Sequence, residues 1–139
     1  MTTLSFAAQV EDWVRDVKQA EEIIFKESVQ EVVTQLNALV PVDTGFLRSS
    51  LQASTSAMPM LTRENPGGPD PTNAGEIVLV IAGADLGDTI YLGYTAKYGA
   101  YVAYGANGHP GRPWVQMTAQ KWPTIVGAVA ARVKARLGL

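Results

Sequence analysis

One histidine, His109, and no cysteine set the limits of what this chain could catalyse. Without cysteine, disulfides, thiol catalysis and cysteine-ligated zinc are excluded, and a lone histidine excludes a multi-histidine metal site. A general base usually needs an orienting acid and a nucleophile beside it. Ser49, Ser50 and Asp43 are the available groups, but no spacing ties them to His109, which sits between Gly108 and Pro110. It reads as a loop histidine rather than a catalytic one. Asp43 and Arg48 could form an acid–base couple for phosphate chemistry. No second carboxylate or metal-ligand spacing accompanies them, so turn capping by Asp43 is the better reading. The loop GANGHPGRP, residues 105–113, lacks both the G-x-G-x-x-G pattern and a phosphate-loop lysine. Gly105, Gly108 and Gly111 therefore read as backbone turns, and no catalytic residue, cofactor or metal is expected.

Two further groups could bind rather than react. Tyr91, Tyr94, Tyr98, Tyr101 and Tyr104 recur at intervals of three and four, and with Arg112 could stack on single-stranded nucleic acid. Lys97 is the only base among them, whereas stacking platforms normally sit in a charged groove, so core or interface packing is favoured. Arg132, Lys134 and Arg136 make a basic end to the last helix, where cations complement the helix dipole without any partner. Their sharper reading is an acidic partner surface or a path for DNA.

Elements must hold these residues. A long amphipathic helix is predicted from about Ser5 to Leu39, with Phe6, Val10, Trp13, Val17, Ala20, Ile24, Val32, Leu36 and Leu39 mostly three or four apart. Pro41 stops it. At 1.5 Å per residue it spans about 50 Å, more than a domain of this size needs, so part should project or pack on a neighbour. The turn PVDTG, residues 41–45, feeds an alternating strand predicted over Leu47–Thr55. Residues 56–75 hold four of the eight prolines and read as a long loop. The apolar run EIVLVIAGA, residues 76–84, is predicted to be a buried strand, with residues 85–88 turning into a hairpin partner at Thr89–Tyr94. A short helix is expected over Thr95–Tyr104. A last helix follows over Trp114–Leu137, kinked at Pro123, with Trp122, Val126, Val129, Val133 and Leu137 facing inward.

The 139 residues suit one domain, and 47% hydrophobic with 17% charged residues is a globular composition. A net charge of −2 argues against a nucleic-acid binder held by bulk charge. The longest apolar runs, such as Ile77–Ala82, are far shorter than the roughly 20 residues of a membrane span. The start MTTLSFAAQVEDW lacks the basic and apolar regions of a secretory signal, so synthesis in the cytoplasm is expected. Charge is uneven: residues 1–40 carry seven acids and three bases, while from Lys97 onward there are six bases and no acid. Two opposite ends can pair within one fold or between copies.

Two segments together resemble a known family. PVDTGFLRSSL (residues 41–51) follows a long helix, and YGAYVAYGANGHPGRPWVQMTAQKW (residues 98–122) leads into a terminal one. This pattern resembles the neck and tail-completion (head–tail joining, minor tail) proteins of long-tailed bacteriophages. Pro41, Val42, Asp43, Thr44, Gly45, Leu47, Arg48 and Ser50 match the first motif; Tyr98, Val102, Tyr104, Gly105, Pro113 and Trp114 match the second. Ala103 stands where the family usually has Glu. The resemblance implies an α+β fold, with the long N-terminal and C-terminal helices packed on a small, mostly antiparallel sheet. It also implies a ring, usually of six copies, at the virion's head–tail junction. Its partners there would be the connector or head-closure and tail-tube proteins, with genomic DNA passing through. A ring needs a heterologous interface, for which acidic first helix against basic last helix is one candidate. The rival reading is a small nucleic-acid-binding module using Arg112, Arg132, Lys134 and Arg136.

Overall fold

The computed structural model describes residues 5–41, 46–62, 64, 74–106 and 109–139. Asp43 with the rest of 42–45, most of the proline-rich stretch (63 and 65–73), and Asn107 and Gly108 lie outside the described residues. The architecture is α+β, as the sequence predicts: helices packed on a small antiparallel sheet.

Helix α1, Phe6–Leu39, has the expected limits. Ser5 caps it, its Oγ accepting the Ala8 N–H at 3.2 Å. Val40 leaves the helix in an extended conformation before Pro41. The long C-terminal helix is divided. α5, Trp114–Ala119, and α6, Trp122–Leu137, are separated at Gln120–Lys121. Pro123 lies in the first turn of α6, where a missing N–H costs nothing, so the break precedes the proline instead of centring on it.

α6 runs antiparallel along α1. Its N-terminal residues Lys121 and Thr124 share a surface cleft with Glu31 and Gln35, and Leu137 shares one with Asp16 and Gln19. Ile125, Val129 and Val133 are buried there against Ile23, Ile24 and Val32. Full burial of each such side chain is worth about 1.5–3 kcal/mol. Trp122 and Leu137, expected on that inner face, are instead substantially exposed, and Ile125 takes the inward position.

The strand expected at 47–55 begins with a helical turn, α2, Phe46–Ser49, and only then becomes β1, Leu51–Ser54. Serines explain the difference. Ser49 and Ser50 are buried, and their hydroxyls donate to the Phe46 and Leu47 carbonyls at 2.9 and 2.7 Å, acceptors that a turn of helix presents three residues back.

The run at 76–84 is not a strand. It forms helix α3, Ala74–Gly83, which turns Ile77 and Ile81 into the core and leaves Val78 and Leu79 exposed. Lys26 of α1 donates its Nζ to the Ala82 carbonyl at 2.8 Å, satisfying a group at the end of α3. The turn at 85–88 does form: the Asp88 amide donates to the Asp85 carbonyl, and Gly87 has a positive φ of 100°. It leads to β2, Tyr91–Tyr94, whose partner is β1 rather than residues 76–84. The antiparallel register runs from Leu51 opposite Tyr94 to Ser54 opposite Tyr91.

Helix α4, Gly99–Tyr104, is shorter than the expected 95–104. Two-residue strands β3, Gly105–Ala106, and β4, His109–Pro110, then close a small antiparallel pair within the glycine loop. The main core gathers Val29, Val33 and Leu36 of α1 with Phe46, Leu47, Leu51, Ile77, Ile81, Tyr94 and Trp114.

Candidate functional site

The two motif segments, some fifty residues apart in the chain, meet in space. The Ser50 carbonyl accepts both the amide and the hydroxyl of Thr95, at 3.0 and 2.8 Å, extending the β1–β2 ladder toward the second motif. Phe46 packs its ring against Tyr98 with centroids 6.0 Å apart. Leu47 lies under Gly99, where an added Cβ would stand 3.4 Å from its side chain. Tyr94 and Trp114 meet edge to face at 5.2 Å. Arg112 ties the glycine loop to α4 by donating its amide to the Val102 carbonyl at 2.8 Å.

The described motif residues fall into three groups here. Leu47, Ser50 and Trp114 are buried, as is Ala103, and they act as packing. Arg48, Tyr104, Arg112 and Pro113 are exposed. Tyr98, Val102 and Gly105 lie between, half-buried. The buried Ala103 joins the main core, so a Glu at that position would bring a carboxylate into apolar packing. The tyrosines do not share one helical face. Tyr91 and Tyr94 belong to β2, Tyr98 precedes α4, and Tyr101 and Tyr104 stand out from it into solvent. Tyr104 is held by Gln116, whose amide donates to its hydroxyl at 2.9 Å.

The Tyr94 hydroxyl and the Trp114 indole N–H are buried without a formed hydrogen bond. Burial pushes the Tyr94 phenol up to about 12, against weaker opposing pulls from the nearby Trp114 N–H and the Arg48 guanidinium. The indole acts here by proximity, since its geometry falls short of a bond.

His109 has its backbone in β4, opposite Ala106, and its side chain lies outside what is described. Asp43 lies outside the described residues, so no Asp43–Arg48 geometry enters the site. Among the described residues no three His, Asp or Glu side chains converge on a point that could hold a metal. Among the described residues no helix is long and apolar enough to cross a membrane.

The basic end of α6 has a partner inside its own chain. Glu27 of α1 accepts Arg136 at 2.7 Å and Arg132 at 3.4 Å. The Arg136 hydrogen bond and the two positive charges outweigh partial burial and hold the Glu27 carboxyl below the usual range. Acidic first helix and basic last helix therefore pair, at this point, within one fold. Lys134 and Arg112 are exposed and make no ion pair among the described residues.

The sequence predicts that part of the first helix projects, and the structure shows which part. The first three turns of α1 extend past the end of α6, and there Phe6, Val10, Trp13 and Val14 are exposed, Phe6 at 83% and Trp13 at 63%. The overlong helix was the signal for it. Comparison with family models, curated proteins and solved structures gave no match.

Proposed function

We propose that this chain is a structural virion protein of the phage head–tail junction, a neck or tail-terminator subunit. It assembles with its own copies into a ring that caps the tail tube, joins it to the head connector and leaves a passage for DNA. The observation that carries this reading is the meeting of described residues of the two motif segments, whose order and residues resemble the tail-completion proteins. Phe46 against Tyr98 and Leu47 beneath Gly99 bring described residues of the two segments together, which supports reading them as parts of one unit. Supporting it is the uncovered apolar end of α1, a surface suited to a neighbouring subunit.

The rival is a nucleic-acid module using Arg112, Arg132, Lys134 and Arg136; two of these four, Arg132 and Arg136, already pair with Glu27, and binding phosphate there would break those pairs. A salt series separates the two readings, since a binder loses affinity steeply with salt. The deciding experiment images particles of the phage that encodes this chain, with an antibody against it. Label confined to the head–tail junction, at ring stoichiometry, is the expected result. Label elsewhere, or none on finished particles, overturns the proposal.

A further inference from the structure

Phe6, Val10, Trp13, Val17, Ala20 and Ile24 follow one another at four, three, four, three and four residues, which places them on a single face of α1. α6 covers only the later part of that face. Ile24 packs against the Ile125, Val129 and Val133 cluster, Ala20 is buried, and Leu137 reaches no further than Asp16 and Gln19. Residues 6–15 therefore project about 15 Å beyond their cover. This arm shows solvent the same stripe that its continuation buries. An isolated helical end of three turns has little stability of its own, so an apolar stripe on it implies a surface that receives it.

A receiving surface exists elsewhere on the molecule. Between the middle of α1, the approach to β2 and the α5–α6 junction runs an open groove of about 560 Å³, walled by Phe25, Val29, Val32, Ile90, Leu92 and Trp122. It is of the size that accepts an aromatic anchor. We infer that the arm of one copy seats Trp13, flanked by Phe6 and Val10, in this groove of the next copy. That is a heterologous contact, the kind that propagates into a ring or filament. The inference names the subunit interface of the proposed assembly and rests on that self-association, though not on its place in a virion.

Charge favours the groove over the alternative of two arms lying side by side. Residues 6–15 carry Glu11 and Asp12 against Arg15 alone, and Arg15 is already bridged to Asp12 at 2.8 Å. Two arms would set like charges together. The groove is closer to neutral: Asp88 is the charged residue of its lining, and Lys121 is exposed next to Trp122. Area points the same way. Exposed aromatic rings contribute roughly 150–250 Å² each, so the stripe alone gives about half of the ~800 Å² per partner of a stable interface. A groove that wraps the arm supplies more contact than a second helix laid along it.

The test uses the full chain in solution, by light scattering and sedimentation. Wild type is expected to associate. W13D, with its arm disabled, and W122D, with its groove disabled, should each be monomeric at the same concentration and keep the helical circular dichroism of wild type. The loss of association should be about thirtyfold or more, as for a central aromatic anchor. Mixed together they should form a one-to-one dimer that grows no further, because one intact arm then meets one intact groove. Self-association of W122D alone would mean arms pairing with arms, and undiminished association of W13D would mean an interface elsewhere; either result overturns the inference. So does a wild-type chain that stays monomeric up to its solubility limit.

Should W122D fail to fold, cysteine capture decides, since the native chain has none. A mixture of V10C and T89C should oxidise to a cross-linked heterodimer. V10C that cross-links only to itself, or a mixture that does not cross-link, overturns the inference. Rings that form equally well in W13D and W122D would remove this interface and leave the virion reading standing. Arm-and-groove association with no label at the junction would do the reverse.

Discussion

Replacing Glu27 by Gln should cost about 1 kcal/mol of folding stability. Glu27 is joined to both Arg132 and Arg136, at 3.4 and 2.7 Å, and its side chain is only 32% exposed. Solvent-facing ion pairs are typically worth 0.2–1 kcal/mol each, and a short charge-assisted bond lies toward the upper end of that range. In a domain of this size 1 kcal/mol lowers the Tm by roughly 3–4 °C. Because the folded carboxyl is held below its unfolded value, its contribution is complete above the unfolded pKa of about 4.3 and disappears as pH falls through the folded value. The difference in Tm between wild type and E27Q, followed by circular dichroism, should therefore be full at pH 7, shrink below pH 4 and diminish in high salt. A double-mutant cycle with Arg136→Gln should return a coupling of about 0.5 kcal/mol. Zero coupling would refute the intrachain pair. A coupling that appears only as protein concentration rises would place the bond between copies.

Three other substitutions test the core and the motif junction. Leu51→Ala, at a residue 1% exposed in β1, should cost about 3 kcal/mol in denaturant unfolding with an unchanged m-value. Tyr94→Phe should leave stability at pH 7 unchanged or slightly higher, since the hydroxyl it removes is buried and unbonded. With that phenol pushed up to about 12, the unfolded chain ionises first, so wild-type stability should fall as pH rises above about 10, more steeply than that of Y94F. Ultraviolet titration should show Tyr94 as the last tyrosine to ionise. At Gly111 a Cβ would collide with the Tyr104 carbonyl carbon and lie 2.5 Å from both the Ala103 oxygen and the Gly105 nitrogen. Backbone on every side leaves no room to yield, so G111A should cost at least about 2 kcal/mol and disturb the β3–β4 pair, as amide exchange at Gly105 and Arg112 would report.

The first helix is legible because periodicity and punctuation agree there; the last is legible in its extent and in Val129 and Val133, but not in its break at Gln120–Lys121 or in the exposure of Trp122 and Leu137. Ser5 caps α1, Val40 before Pro41 ends it, and Val129 and Val133 repeat at four residues. The middle was not, for reasons that are local. In EIVLVIAGA every position from Ile77 to Ala82 is apolar, so the pattern carries no period, and strand and helix cannot be told apart. What decides is a tertiary choice, with Ile77 and Ile81 four apart under α3 and Lys26 waiting at its end. In FLRSSLQAS alternation suggested a strand throughout, but two consecutive buried serines need acceptors that only a helical turn supplies. The partner of β2 was misread for the same reason: once residues 76–84 are helical, β1 is what remains to pair with it. Of the candidate site, the residue types of the two motifs were visible and their contact was not, because Ser50 to Thr95 is a relation between distant parts of the chain. The projecting arm could be suspected from the length of α1 alone. Its extent depended on where α6 stops.

The pairing of α1 with α6 also orders events in time. Glu27 and Arg136 stand 109 residues apart, so the face of the first helix finds its cover only once residues 122–137 have been made. During synthesis a ribosome would release α1 early and hold back the element that shields it, leaving apolar surface in need of protection for most of translation. A polypeptide truncated before Trp122 would expose that face along nearly its whole length. With residues 122–137 in place only the first turns of α1 keep their apolar stripe exposed, whereas a chain still lacking them exposes the whole face.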